Sequence, residues 1–289
     1  MILMKNFIRY TLLMAAAVVG TLMVACSGDD GDDPAVVSGP AFAAIEITPD
    51  NRIVFVDFSE PVSKGGVYMQ PLTAECFSVS LESDKVTLDS IKVIHSAGNA
   101  SAMILLYLKG RSSGEEVLTI RPANPEAIIN ARSVAMNTSA SISGNLSDPG
   151  IIGRWVSAGD NLSELFRQFG FDTVSMLFRY DGTYVYTSVT TGGIRNVLTG
   201  TFVQQKNSGT AIRSVRMNQL NPVAATIEGI FLPENGDPVT MKYETAQTEP
   251  AVAGLTPPTP EAGFGSTGLT GSDNTQTYIL VSSFPPDSI

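Results

Sequence analysis

The folds open to this chain are limited most by short runs that alternate at period two. They are rich in β-branched and aromatic residues and are cut off by Gly, Ser, Asn or Pro. Residues 52–58 (Arg-Ile-Val-Phe-Val-Asp-Phe) are the clearest case, followed by 77–81, 86–95, 102–108 and 117–121. Alternation puts one face of a strand on a core and the other in water, so short runs at this spacing predict a β-sandwich over 41–147. The stretch 143–150 is dense in turn formers and ends that unit, and so short a join should hold its neighbours close with limited swing. Beyond it come eight more runs, at 151–157, 173–180, 183–189, 198–204, 211–219, 224–232, 239–245 and 277–284. Eight strands in succession predict a closed up-and-down β-barrel over 150–289, which removes exposed edges and leaves room for one small ligand. The fold class is therefore all-β, a sandwich followed by a barrel with one short helix.

That helix falls between the first two barrel runs. Asn161 caps it with Glu164 three residues on, Leu162, Leu165, Phe166 and Phe169 share a face, and Gly170 ends it. It lies over one end of the barrel as a lid or a plug, and its apolar stripe favours the plug. Asp181-Gly182 is the strongest hairpin signal. A two-residue turn there places Met176, Phe178, Tyr180, Val185 and Thr187 on one side, and Leu177, Arg179, Tyr184 and Tyr186 on the other. Arg179, Tyr184 and Tyr186 then form a candidate ligand wall, with Phe166 and Phe169 closing it; packing against another surface explains the same residues equally well. The Pro, Gly and Thr segment within 246–276 is either a cover over the barrel mouth or a disordered insertion, and its composition favours the second.

The first 25 residues have the build of a cleaved leader, with Lys5 and Arg9 ahead of an apolar core at 11–22 too short to span a bilayer. Met23-Val24-Ala25-Cys26 resembles a bacterial lipobox, which implies a lipidated Cys26 as the mature N-terminus. Acyl chains contribute about 0.8 kcal/mol per buried methylene, and lasting attachment needs more than one chain. Residues 26–40 read as a tether. The acidic run 27–33 resembles the tag that sends some Gram-negative lipoproteins to the outer face of the outer membrane.

There are 28 acidic and 18 basic residues; loss of Lys5 and Arg9 with the leader takes the net charge from −10 to −12. No basic cluster exists to displace counterions, which excludes nucleic acid as a partner. With Cys26 acylated, Cys76 has no partner and reads as a small buried apolar side chain. His95 is the single histidine, so neither a thiol–imidazole pair nor a zinc site is expected. Gly110-Arg111-Ser112-Ser113-Gly114 spells a nucleophile elbow, but strands flank it on both sides, which makes it a hairpin turn. Asp57 and Glu60 read as a strand end and a turn cap, not an acid–base pair. No catalytic residue, metal or cofactor is assigned.

Two further resemblances give expectations. The segments 56–62 (Val-Asp-Phe-Ser-Glu-Pro-Val), 72–80 and 114–120 resemble bacterial Ig-like modules of surface-layer type, which implies a spacer or adhesive unit. Gly153-Arg154-Trp155, then 177–184 and 198–202, resemble the lipocalin-like (calycin) pattern. This implies that Trp155 closes the barrel base under a stacked cation, a place left here to Arg216 or Lys242. Together these imply a non-enzymatic lipoprotein, surface-exposed on the outer membrane. In it the Ig-like spacer presents a lipocalin-like domain to a small apolar or glycan-like ligand. The alternative is an adhesin or assembly subunit holding a partner protein; a third reading is an accessory to carboxylate-dependent glycan hydrolysis.

Overall fold

The computed structural model describes residues 38–65, 69–267 and 274–283. The leader, Cys26 and the tether up to residue 37 lie outside the described residues. The protein is all-β, a two-sheet sandwich followed by a closed eight-stranded antiparallel barrel.

In the sandwich, β1 (Phe42–Ile47), β2 (Ile53–Ser63), β5 (Asn99–Lys109) and β4 (Thr87–Ile94) form one sheet, in that order, with β7 (Ile129–Asn130) on β2. The facing sheet is β3 (Phe77–Glu82), β6 (Val117–Pro122) and β8 (Ile142–Asn145). Alternation does what the sequence requires: Val54, Val56 and Phe58 of β2, Ala102, Ile104 and Leu106 of β5, and Leu118 and Ile120 of β6 all point into one core. Strand β2 runs past Pro61 to Ser63, because its register shifts between Asp57 and Val62 and the proline falls in that irregular stretch. Cys76 ends a 3-10 turn (Ala74–Cys76) and is buried in the core.

His95 supports the segment that leads into this turn. Leu72 N–H donates to His95 Nδ1 at 3.0 Å, which puts the ring proton on Nε2, 3.3 Å from the Asn99 carbonyl. Burial lowers the His95 pKa from its ordinary value of 6.5, with the Asn99 contact opposing more weakly. The unfolded chain therefore binds the proton more readily, so the stability owed to the neutral ring is complete above pH 6.5 and is lost as pH falls through the lowered value. Amide exchange at Leu72 and Cys76 is expected to accelerate between pH 7 and 5 beyond the intrinsic trend, and His95→Gln should remove that pH dependence.

The barrel strands are β9 (Gly153–Ala158), β10 (Phe171–Phe178), β11 (Thr183–Thr190), β12 (Arg195–Gln205), β13 (Arg213–Asn221), β14 (Ala225–Glu234), β15 (Thr240–Glu249) and β16 (Gln276–Ser282). Each pairs with the next, and β16 returns to β9. The long connection thus starts at Pro250, not at Ala246, which lies within β15. Gly229 lets β14 and β15 approach closely, since a side chain there would collide with the Glu244 carbonyl.

The β10–β11 turn differs from the two-residue expectation. Arg179 N–H donates to the Thr183 carbonyl and Gly182 N–H to the Arg179 carbonyl, with Gly182 at φ +80°, so Tyr180, Asp181 and Gly182 form a three-residue loop. One extra residue reverses the parity of β11. Phe178 pairs with Tyr184 and Met176 with Tyr186, and all four face inward. The helix α1 (Glu164–Gln168) is shorter than expected and starts later. Ser163 caps it, accepting from Phe166 N–H at 3.3 Å, while Asn161 belongs to a preceding 3-10 turn.

Candidate functional site

The barrel interior is occupied by its own side chains. Trp155, Met176, Phe178, Tyr184, Phe202, Met217, Phe231, Met241, Tyr243 and Tyr278 are buried together in one cluster. Phe178 meets Phe202 edge-on at 4.9 Å, and Tyr243 meets Tyr278 edge-on at 5.6 Å. The buried hydroxyls find partners: Tyr278 donates to Gln276 Oε1 at 3.2 Å and Tyr243 to Met217 Sδ at 3.5 Å. Burial pushes the Tyr184 phenol up to about 12 and raises Tyr186, Tyr243 and Tyr278 as well, so all stay neutral. Large side chains buried this way contribute roughly 1.5–3 kcal/mol each. A small ligand, at about 0.3–1.5 kcal/mol per heavy atom, would not offset the loss of several of them.

The sequence-derived ligand wall is therefore not assembled. Tyr184 and Tyr186 belong to the core because the three-residue loop puts them on the side of Phe178 and Met176, whereas Arg179, next after Phe178, is left out of that set. Phe166 packs against Phe171 at 5.2 Å and against the barrel core, in keeping with a plug. Phe169, one residue past the helix, is 68 % exposed and closes nothing. Among the described residues of the long loop, the proline-rich part does not cover the mouth either. Pro257 to Pro260 lie against the outer wall, facing Val203, Arg216 and Glu228. Fully buried Glu244 anchors this strap by accepting from Gly265 N–H at 2.6 Å and Thr267 N–H at 3.0 Å. Asn274 adds a tie by donating to the Thr245 carbonyl at 2.9 Å, and composition reveals neither contact.

A dense polar construction lies where sandwich meets barrel, and Arg111 is its centre. The Gly110 to Gly114 stretch is not a hairpin turn, since β5 and β6 lie in different sheets; it crosses between them at the barrel end. Arg111 is 7 % exposed, with its guanidinium 5.2 Å from the centre of the Trp155 ring. Nε and Nη2 donate to the Gly150 carbonyl at 3.1 and 2.6 Å, and Nη2 also donates to the Ile152 carbonyl at 2.6 Å. Trp155 Nε1 in turn donates to the Ile151 carbonyl at 2.7 Å. The cation stacked on this tryptophan is thus supplied by the sandwich. Arg216 instead faces Glu228 at 3.6 Å and Lys242 faces Glu234 at 3.8 Å. Burial lowers the Arg111 pKa to about 10, and the side chain stays charged at neutral pH.

Around Arg111 the join is tied from both sides. Arg111 and Asn235 exchange hydrogen bonds at 2.7 and 2.9 Å, side-chain amide to backbone, on the β14–β15 turn. Asn51, which follows β1, holds Ser147 through both its amide atoms and Ser112 through Nδ2. Asp148 receives Arg213 at 2.7 Å and Lys206 at 2.9 Å. Burial alone would raise the Asp148 pKa, but these cations and Gly150 N–H hold it below the usual carboxylate value.

Arg111 also lines two clefts that open at the join. The larger, about 570 Å³, holds Lys85, Lys206, Arg213, Asp148, Glu115 and Glu234. Its central charges already pair with one another, which makes it part of the tie. The smaller, about 350 Å³, lies between Asp50, Asn51 and Arg52 on the β1–β2 turn, Leu106 and Tyr107 on β5, and Tyr180 on the β10–β11 loop. Tyr107 and Tyr180 are 49 % and 37 % exposed. Burial and the nearby Asp50 charge push the Tyr180 phenol up to about 12, so it remains a hydrogen-bond donor. Asp50 uses Oδ1 for Thr48 Oγ1 and Arg52 N–H, at 2.6 and 3.1 Å, leaving Oδ2 without a hydrogen bond among the described residues. No group of three or more His, Cys, Asp or Glu able to hold a metal occurs among the described residues.

No protein-family model, no curated protein and no solved structure matches this chain.

Proposed function

We propose that the protein is a non-enzymatic cell-surface lipoprotein, held to the outer membrane by acyl chains on Cys26, that captures a small ligand in the cleft between sandwich and barrel. In this reading the sandwich is an Ig-like spacer and the barrel a lipocalin-like body whose filled interior serves as scaffold. The observation that carries it is the pair of half-exposed tyrosines, Tyr107 and Tyr180, contributed by the two bodies to one cleft. Concave sites where two bodies meet, with a few fixed polar groups, are preferred ligand positions, and a rigid tie at the cleft floor lowers the ordering cost of binding.

Two measurements test the reading. Intact-mass analysis of the mature protein is expected to give a chain that starts at Cys26 carrying diacylglyceryl and N-acyl groups. An unmodified Cys26, or cleavage downstream of it, removes the anchor. Ligand-observed NMR with a mixed fragment library is expected to give hits that disappear in Tyr107→Ala; hits indifferent to that change place the site elsewhere.

A second reading, an adhesin or assembly subunit, is favoured by the barrel end remote from the sandwich. Phe169, Ile194 and Val223, on three separate inter-strand loops there, are 68, 65 and 67 % exposed. Photo-crosslinkers at Ile194 and Val223 capturing one defined partner on intact cells would support it.

A further inference from the structure

We infer that the cleft between Tyr107 and Tyr180 is a saccharide site that takes one or two uncharged sugar rings, an assignment that rests on the cleft being the ligand site at all. Its lining has the two components that sugar rings demand. Pyranose faces are patches of C–H groups, which bind flat against aromatic rings, and Tyr107 and Tyr180 each leave part of a ring uncovered. Sugar edges are rows of hydroxyls, which need acceptors and donors in fixed places. Asp50 supplies an acceptor through Oδ2, held still by the bonds that Oδ1 makes to Thr48 and Arg52. The neutral Tyr180 hydroxyl supplies a donor beside it.

Other ligand classes fit less well. A purely apolar ligand would strip water from Asp50 and from the Tyr180 hydroxyl without returning a hydrogen bond, which costs roughly 1–3 kcal/mol per group. An anionic ligand would meet the Asp50 carboxylate, and of the two arginines in the lining, Arg52 and Arg111, the second commits Nε and Nη2 to the Gly150 and Ile152 carbonyls and keeps only Nη1 without a partner among the described residues. The volume, about 350 Å³, lies at the lower end for small-molecule sites and suits a mono- or disaccharide, not a long chain held along its length. The terminal rings of a longer glycan would enter with the remainder in solvent.

Rigidity adds to the case. The tyrosines come from different bodies, so the distance between the two platforms is set by the tie at the join, in which Arg111 of the sandwich bonds the Gly150 and Ile152 carbonyls and exchanges hydrogen bonds with Asn235 of the barrel. The site is thus built before the ligand arrives, and weak stacking forces suffice without an ordering cost.

The test uses the mature chain from Ser27 onward together with the lipidated protein, titrated with maltose, cellobiose, chitobiose and lactose. Saturation-transfer NMR and calorimetry provide the readouts. Sialyllactose serves as the anionic probe and decanoate as the apolar one. At least one neutral disaccharide is expected to bind with a Kd in the micromolar to millimolar range. Affinity should fall at least tenfold in Tyr107→Ala and in Asp50→Asn, with an unchanged melting temperature for both variants, and Tyr107→Trp should retain binding. If decanoate or sialyllactose binds in a Tyr107-dependent way and no neutral sugar does, the cleft is the ligand site and the saccharide assignment is overturned. If no probe binds, or binding ignores Tyr107 and Asp50, both the assignment and the cleft reading fall.

Discussion

Replacing Arg111 with Ala is expected to destabilise the whole body by roughly 3–5 kcal/mol, because the Gly150 and Ile152 carbonyls lose charged donors in a place water does not reach. For a chain of this size that corresponds to a fall in Tm of about 10 °C or more. The chain carries its own reporters for the effect. Trp155 is the only tryptophan and lies in the barrel, while Cys76 is the buried thiol of the sandwich. In the wild-type protein, tryptophan fluorescence and thiol labelling should report one coincident transition in urea. In Arg111→Ala the two should separate, with the barrel unfolding first. Arg111→Lys is expected to recover little, because an ammonium lacks the planar fork that reaches two carbonyls while lying flat on an indole. Coincident and unshifted transitions in Arg111→Ala would show that the barrel closes without help from the sandwich.

Glu244→Ala should leave the barrel standing and release the strap. The carboxylate is fully buried on the outer wall and is the acceptor for Gly265 and Thr267, so its loss leaves the buried Thr267 amide unpaired, at roughly 1–3 kcal/mol, and frees the exposed Gly265. Most of that cost falls on the local equilibrium between the strap and the wall. A glutamate-specific protease is expected to cut after Glu261 at least tenfold faster in the variant, with Trp155 fluorescence unchanged. Protection equal to wild type would mean that the proline contacts alone hold the segment. Glu244→Gln, which keeps one oxygen acceptor, should lie between the two.

Strand positions were largely legible in the sequence, and residue orientations were not. All eight barrel runs from 151 to 284 correspond to barrel strands, because period-two alternation and turn residues are local properties. The grouping of β11 side chains with those of β10 comes out inverted because Asp181-Gly182 does not by itself reveal whether two residues or three make the loop, and the difference inverts a whole strand. Arg111 was read only as part of a tight turn. Its partner Trp155 lies in the other body, and nothing in either local pattern names the contact. A solitary arginine flanked by Gly and Ser, in a chain with no arginine after Arg216 to cover its one tryptophan, was the available signal. Tyr107 and Tyr180 were invisible as a pair for the same reason. Each appears as an ordinary strand or turn residue until the join places them beside one cleft.

The course of β1 bears on how the molecule carries load. The described chain enters β1 at Phe42 and reaches the join only after Ile47, through Asn51, with β1 antiparallel to β2. A pull applied at Phe42 against a point held at the join would act along the strands, so the β1–β2 hydrogen bonds would be sheared together instead of unzipped singly. Shear loads many hydrogen bonds at once, so it resists force better than peeling the strands apart bond by bond.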